Sequence, residues 1–291
     1  MWIFWALLSA VLVAIRRPFE KNAIKDIDHF TFGFLVQSIS LPIILVIVIL
    51  NKKLLNPMQL GLGFWIPVIT SIGYYPLSAY LYKKAMKDSE LSKVLPLQSL
   101  WPVFGLILAW PTLGQVPTLV SSAGVILTVI GIYALGLKGK QLHHPLKPFM
   151  EDKNSRAMLQ NVILVTFASI LDKIAIRASN PLFYSLASTI GAIITLSFAM
   201  KITKQKLRTI SFPQFKKLGI IGTLQGTTYV TYLLALSSGP IAYVSALRST
   251  NILMGSIIGI IIFRERLNKP KIVSFILITI GALALTFGSP Q

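Results

Sequence analysis

GVILTVIGIYAL (residues 124–135) and SFILITIGALAL (residues 274–285) are two apolar stretches in which Gly131 and Gly281 occupy the same place. The spacing between them is 150 residues, since 281 − 131 = 150. A pattern that returns at a long fixed spacing indicates an internal repeat. The extent of this repeat along the chain decides the fold.

The repeat reaches the first part of the chain. PFEKNAIKDID (18–28) aligns with ILDKIAIRASN (170–180), which places Glu20 opposite Asp172 with a lysine directly after each. Here the spacing is 152 residues, since 172 − 20 = 152. Apolar helices match one another by chance at Ala, Ile and Leu, but a shared acidic–lysine pair is not explained in that way.

A third pair of segments lies between the other two. LPLQSLWPVFGLIL (95–108) aligns with SALRSTNILMGSII (245–258), and Gln98 falls opposite Arg248 at a spacing of 150, since 248 − 98 = 150. The three matches occur in the same order in both halves, and their spacing changes by only two residues. The chain is therefore interpreted as a duplication.

The composition is that of a membrane protein. Of 291 residues, 54% are hydrophobic and 13% are charged, and the mean hydropathy is +0.71. Soluble domains carry about 25% charged residues. A helix needs about 20 mostly apolar residues to cross a hydrocarbon core roughly 30 Å thick. With charges, proline and glycine as boundaries, the sequence predicts ten spans: 2–22, 30–50, 62–83, 92–110, 117–137, 158–177, 181–201, 217–237, 240–262 and 271–288.

Five of these spans fall in each half. We predict a first five-helix repeat over 1–138, a connecting loop over 139–156 and a second five-helix repeat over 157–291. An odd number of spans per half makes the second half enter the membrane from the opposite side. The predicted fold is an all-α polytopic membrane protein of ten transmembrane helices in two inverted repeats. Secondary transporters are built in this way, with the substrate site near the midplane between the halves.

Several other functions are excluded or disfavoured by composition. The first span is not expected to be a cleaved signal peptide, because Arg16 and Arg17 come after its apolar stretch and not before it, and no Ala-x-Ala site closes that stretch. The chain has no cysteine, which excludes disulfides and thiolate ligands. His29, His143 and His144 fall in predicted loops, so we expect no metal site, and we expect no cofactor.

The net charge of +19 does not indicate nucleic-acid binding. Its lysines and arginines lie between apolar runs, not along one face beside stacking aromatic residues. Such residues determine topology and contact anionic lipid headgroups. We therefore expect membrane lipids and a small-molecule substrate as partners, no nucleic acid, and a monomer or homodimer in the cell membrane.

Two longer phrases resemble a known family. YVSALRSTNILMGSIIGIIIFRERLNKPK (243–271) and LDKIAIR (171–177), together with the duplicated five-helix halves, resemble the drug/metabolite transporter superfamily, in particular its EamA-like ten-helix branch. FRERL looks like the family's short acidic hinge before the last helix. The corresponding TLGQVP (112–117) departs from it, because Gln115 stands where the second half has Glu265.

The resemblance implies an alternating-access carrier for small polar metabolites, such as amino acids or their derivatives. It also implies a cavity between the halves that is lined mainly by helices 3, 4, 8 and 9. The distribution of polar residues leads independently to the same four spans. Span 3 is rich in tyrosine, and spans 4, 8 and 9 carry amides, hydroxyls and one arginine.

Arg248 is the strongest single candidate. It lies about eight residues into span 9, or roughly 12 Å of helix rise, which is farther than an arginine reaches by snorkelling. A charge at that depth costs at least about 2.5 kcal/mol on insertion scales and usually faces an aqueous cavity or a partner. We predict that Arg248 points into the cavity and recognises a carboxylate. The alternative is a structural arginine bound by helix-end carbonyls or an acidic side chain.

Other polar residues share helix faces. Gln225 and Tyr229 are four residues apart, and Arg248 and Asn251 are three apart, so each pair shares a face. Facing each other, they would present a guanidinium, two amides and a phenol, which suits a zwitterion or an anion. Tyrosine at helical spacing also occurs at the membrane interface or in packing. The predicted substrate-binding set is Arg248, Asn251, Gln225, Tyr229, Gln98, Trp101, Tyr75 and Tyr232.

Glu20 and Asp172 are candidates for ion coupling. An intramembrane carboxylate could couple transport to protons. Each is followed by lysine and lies near a helix end, and Arg16 is four residues before Glu20, within ion-pair spacing. We therefore predict that both carboxylates are mainly structural, with proton coupling as the alternative.

The distribution of basic loops and the family resemblance predict opposite orientations in the membrane. Most basic loops fall on one side of the ten spans, which places both termini outside by the positive-inside rule. The family resemblance implies that both termini are cytoplasmic.

A second function class is a lipid-phosphate-handling scramblase or enzyme that uses Arg248. An enzyme would need a nucleophile, a metal site or an acid/base pair, and the sequence shows none. A channel would need a ring of charges or a selectivity loop. We therefore predict a carrier and not an enzyme.

Overall fold

The computed structural model describes residues 1–24, 27, 29–87, 97–98, 100–136, 153–205, 211–254 and 269–288. Within these residues the chain is helical and contains no strand, as predicted. Residues 97–98 and 251–254 are also helical. The described helices are α1 (Trp2–Ile24), α2 (His29–Leu50), α3 (Leu62–Lys87), α4 (Trp101–Leu113), α5 (Leu119–Gly136), α6 (Lys153–Arg177), α7 (Pro181–Ile202), α8 (Phe212–Ser238), α9 (Ile241–Ser249) and α10 (Lys269–Phe287), with a short 3₁₀ helix at Pro57–Gln59.

The helix ends repeat at the spacings that the sequence alignment predicts. α2 and α7 are both 22 residues long and start 152 residues apart, since 181 − 29 = 152. α5 and α10 start 150 residues apart, since 269 − 119 = 150. The predicted fold of ten helices in two repeats is confirmed.

Some sequence-based details differ. His29 is the first residue of α2, not a loop residue. α6 begins at Lys153, within the predicted connecting loop over 139–156. The rest of that loop up to residue 152, both other histidines and the FRERL hinge lie outside the described residues. The domain boundaries at 138 and 157 stay predictions.

The two halves interlock through their first and third helices. The Ser9 hydroxyl of α1 donates to the Thr228 carbonyl of α8 at 3.3 Å. The Asn161 amide of α6 donates to the Ser78 carbonyl of α3 at 2.8 Å. These contacts are repeat-related, because 161 − 9 = 152 and 228 − 78 = 150. The first helix of each half therefore packs on the third helix of the other.

The fifth helices of the two halves pack closely on each other. A Cβ on Gly131 of α5 would lie 2.8 Å from the Ile278 side chain of α10, and one on Gly281 of α10 would lie 2.6 Å from the main-chain nitrogen of Thr128. Real carbon atoms do not approach so closely, so both glycines are required by the helix contact. Small residues of this kind allow membrane helices to approach each other. The apolar, featureless character of these spans reflects a packing role.

Within the described residues, length and composition alone make four helices suitable for crossing a bilayer, over Trp2–Glu20, Phe30–Leu50, Lys153–Arg177 and Pro181–Ile202. Three further helices are apolar but shorter, over Trp101–Leu113, Leu119–Ile132 and Ile272–Leu285. The long helices α3 and α8 carry many of the polar residues described next.

Candidate functional site

Two adjoining cavities lie between the halves. The first chamber has a volume of about 270 Å³ and reaches Glu20. The second chamber has a volume of about 240 Å³ and reaches Asp172. They share a wall drawn from both halves, formed by Gln37, Tyr75, Ser78, Trp101, Val165, Gln225 and Arg248.

The structure brings all ten sequence-predicted residues to these chambers. Gln98 and Asn251 line the first chamber with Glu20, and Tyr229 and Tyr232 line the second with Asp172. The other four substrate-binding candidates, Tyr75, Trp101, Gln225 and Arg248, line both. The role of these residues in substrate binding stays a prediction.

More helices contribute than the four that the resemblance implies. α1 supplies Arg16 and Arg17, α2 supplies Gln37, and α6 supplies Asn161 to the first chamber. α7 supplies Ser188 to the second. The reason is the interlocked packing of α1 on α8 and of α6 on α3, which brings the first helix of each half beside the cavity.

Arg248 contacts two aromatic rings that lie next to each other. Its guanidinium carbon is 4.7 Å from the centre of the Tyr232 ring and 5.3 Å from that of Trp101. Cation–π contacts of this kind contribute about 0.5–2 kcal/mol and leave the edge of the guanidinium free to donate. Among the described residues no carboxylate lies within salt-bridge distance of Arg248. Glu265, a possible partner, lies outside them.

The residues next to Arg248 leave polar atoms available. Asn251 donates from its amide nitrogen to the Arg248 carbonyl at 2.6 Å. Its buried amide oxygen, and the buried indole nitrogen of Trp101, have no hydrogen-bond partner in the part of the chain that the structure describes. Both residues line the first chamber. A ligand there could therefore accept from the indole and donate to the amide, satisfying groups that are costly to leave unpaired when buried.

Arg17 is a functional candidate that sequence reasoning missed. Its Nη2 donates to the Gln98 side-chain oxygen at 2.6 Å, and Gln98 is the repeat counterpart of Arg248. The repeat counterpart of Arg17 is Ser169, since 17 + 152 = 169, and the Ser169 hydroxyl accepts from Tyr232 at 2.9 Å. The first half thus places Arg16 and Arg17 beside the cavity from its first helix, and the second half places Arg248 there from its fourth.

Glu20 and Asp172 occupy equivalent positions but have different partners. Glu20 forms the predicted ion pair with Arg16, with 3.4 Å between Oε2 and Nε. Asp172 instead accepts hydrogen bonds from the Tyr184 hydroxyl and, at 3.4 Å, from the Ser71 hydroxyl. Within the described residues, Glu20 is neutralised by a cation and Asp172 is held by hydroxyl groups.

The lysine that follows Asp172 does not neutralise it. Lys173 donates to the carbonyls of Leu236 at 2.9 Å and Gly239 at 2.6 Å. These carbonyls lie at the end of α8, where the last turn of a helix leaves acceptors without internal partners. Lys173 is therefore a helix cap that joins α6 to α8.

The model of the EamA-like transporter family matches residues 1–137 and 157–287. The chain belongs to the EamA-like transporter family. The two matched segments correspond to the two halves and leave the segment between them unmatched. Membership in the EamA-like family makes the protein a membrane transporter of the drug/metabolite type.

A solved structure described as "Crystal structure of protein" has the same fold as this EamA-like chain. It is 13% identical, with a TM-score of 0.75, and the match covers 98% of this chain and 95% of the other. At that identity the likeness concerns the fold alone. No curated protein matches the chain.

Proposed function

We propose that this transporter is a secondary active carrier that moves small polar metabolites bearing an anionic group, such as amino acids or related compounds, across the cell membrane by alternating access. The observation that carries the proposal is the position of Arg248. It lies in the wall shared by the two chambers, held by aromatic rings from the two halves, Trp101 and Tyr232. A substrate bound to its guanidinium contacts both halves at once.

The size of the chambers supports a small substrate. Their volumes of about 270 and 240 Å³ are below the roughly 300–1,000 Å³ of sites for drug-sized ligands. Transport by inverted repeats requires one half to rock against the other around a fixed site. Residues shared by the two chambers lie where such a movement would open one side and close the other.

The chemistry of the shared wall supports an anionic group. A planar guanidinium holds a carboxylate through two parallel hydrogen bonds. The rings of Trp101 and Tyr232 contact the Arg248 guanidinium and restrict its movement before a ligand binds. Gln98, Gln225 and Asn251 add amide groups that can hydrogen-bond the remainder of a polar metabolite.

Purified protein in liposomes tests the proposal. We expect saturable uptake and counterflow exchange of one or more anionic or zwitterionic compounds from a panel of amino acids, drugs and nucleotide sugars. Arg248→Lys should weaken this exchange, whereas Arg156→Lys, at an exposed position of α6, should not.

Two outcomes would contradict the proposal. Flipping of phospholipids without exchange of any solute would support the lipid-phosphate alternative. Passage of ions without saturation would indicate a channel. We further propose that the carrier works as a monomer or homodimer, which the mass of the purified protein in detergent would test.

A further inference from the structure

The first chamber is lined by several basic residues and, within the described residues, by one carboxylate. Arg16, Arg17, Lys83 and Arg248 line it together with Glu20. Glu20 forms a salt bridge with Arg16, and Lys83 donates to the Ile27 carbonyl. The guanidiniums of Arg17 and Arg248 form no salt bridge in the part of the chain that the structure describes.

The partners of these two arginines are neutral within the described residues. Arg17 donates to the oxygen of an amide, Gln98, at 2.6 Å. Arg248 is stacked on Trp101 and Tyr232. Of the nine acidic residues in the chain, two lie in the described part, and neither forms a salt bridge with Arg17 or Arg248.

The two guanidiniums line the same chamber. Arg17 contacts Gln98 and Arg248 contacts Trp101, and these two contact residues are only three apart in the chain. Two like charges in a cavity between apolar helices are costly unless negative charge compensates them.

On this basis we propose that the transported substrate is a small dianion, which Arg17 and Arg248 bind together from opposite halves. The inference rests on the carrier function proposed above and narrows its substrate class. Arg248, in contact with the rings of Trp101 and Tyr232, binds one acidic group. Arg17 releases or shares its bond to Gln98 and binds the second. A dicarboxylate and a phosphomonoester both have the required charge, since the latter carries about −1.5 to −2 at pH 7.

Binding of one ligand by both arginines explains why the two arginines occupy different repeat positions in the two halves. If each half needed an arginine for its own stability, it would stand at the same repeat position. It stands instead at Arg17 in α1 and at Arg248 in α9, whose counterparts are the uncharged Ser169 and Gln98. The two charges converge on one chamber because their positions differ.

A matched pair of compounds tests the charge requirement. Succinate and succinamate have the same length but carry two and one negative charges, and methyl phosphate supplies the second kind of dianion. We would measure thermal stabilisation and inhibition of exchange with the full-length protein in phosphatidylcholine liposomes at constant ionic strength. For the wild type, succinate and methyl phosphate should act at concentrations at least about tenfold lower than succinamate, the effect of one charged hydrogen bond of about 1.5–3 kcal/mol.

Single substitutions test which arginine binds the first acidic group of the substrate and which binds the second. Arg17→Gln should abolish the preference for succinate over succinamate while leaving the response to succinamate within about twofold. Arg248→Gln should weaken both compounds. Arg17→Lys keeps the positive charge and should retain part of the preference for succinate over succinamate. This variant therefore distinguishes the effect of removing the charge from an effect of unfolding. Arg156→Gln removes an exposed arginine and should change neither response.

Several results would overturn the inference. One such result is an equal response of the wild type to succinate and succinamate. Another is an Arg17→Gln variant that loses its responses to the two compounds to the same extent. Stabilisation only by vesicles that contain phosphatidate, with no response to the soluble dianions, would assign the charges to a lipid phosphate. If the wild type exchanges a singly charged solute and Arg17→Gln leaves that exchange unchanged, the substrate is not a dianion. The proposed carrier function would still hold. Exchange of no solute by the folded wild type would remove the carrier function itself.

Discussion

Ile39 of α2 packs directly on Gly222 of α8, where a Cβ on the glycine would lie 2.6 Å from the isoleucine Cβ. The repeat-related contact joins Gly191 of α7 and Ile72 of α3, since 191 − 39 = 152 and 222 − 72 = 150. A Cβ on Gly191 would lie 2.6 Å from the Ile72 side chain. The two halves thus make the same contact with glycine and isoleucine exchanged.

This contact leads to a prediction about stability. Gly222→Ala should destabilise the protein by about 1–3 kcal/mol, because the added methyl group overpacks the α2–α8 contact. Ile39→Gly in the same chain should restore part of the loss, because it removes both the Cβ and the Cγ2 atoms that the new methyl group meets at 2.6 Å. The melting temperature in detergent and a double-mutant cycle measure both effects.

Gly219 provides the control for this prediction. It lies three residues before Gly222 on α8, and a Cβ there would meet nothing within 4 Å. Gly219→Ala should be neutral or slightly stabilising, because alanine has the higher helix propensity. Equal effects of the two alanine substitutions would show that the Ile39 contact is not tight.

Substitution of Arg248 should impair transport without unfolding the protein. Arg248→Lys should raise the apparent KM for the transported anion about tenfold or more, because an ammonium cannot make two parallel hydrogen bonds to a carboxylate. Arg248→Gln should raise it further because the charge is also removed. Both proteins should elute as the wild type does in size-exclusion chromatography. Wild-type kinetics in both variants would show that this arginine is structural.

The Tyr232 ring and its hydroxyl group should have separable effects. Tyr232→Phe keeps the ring that lies 4.7 Å from the Arg248 guanidinium carbon and removes the 2.9 Å hydrogen bond to Ser169. Its effect on KM should be small, with a loss of stability of about 0.5–1.5 kcal/mol. Tyr232→Leu removes the ring and should raise KM several-fold, because the cation–π contact that positions the guanidinium is lost. A larger rise in KM for phenylalanine than for leucine would contradict the stacking role.

The two equivalent carboxylates should both prove mainly structural. Glu20→Gln and Asp172→Asn should each retain uptake driven by a pH gradient, if the wild type shows it, with a loss of stability as their main effect. The measurement compares gradient-driven uptake with counterflow exchange, which needs no gradient. Loss of the first with retention of the second would identify a proton-coupling residue. If one of the two has that role, Asp172 is better placed, because Glu20 is already paired with Arg16.

The order of the helices, the repeat and the main candidate residues could be predicted from the sequence. Runs of about 20 apolar residues are a local property of the chain, and the spacings of 150 and 152 residues are visible without any contact. The depth of Arg248 within its span is likewise a matter of counting. For these reasons the order of the helices and their repeat agree with the structure, whereas single bounds differ, as at Lys153 of α6. The predicted residues line the two chambers, and their role in binding stays a prediction.

The tertiary structure alone decided which of those residues contact each other. The bond from Arg17 to Gln98 joins residues 81 apart, and the sequence showed Arg17 only as a basic residue near a helix end. The contact of Gly222 with Ile39 is hidden in the alignment, because glycine is aligned with isoleucine in both halves. The different partners of Glu20 and Asp172 are hidden for the opposite reason, since their sequence positions match. Apolar lipid does not drive these helices together by hydrophobicity, so shape and hydrogen bonding between distant segments select their contacts, and neither is a local property of the chain.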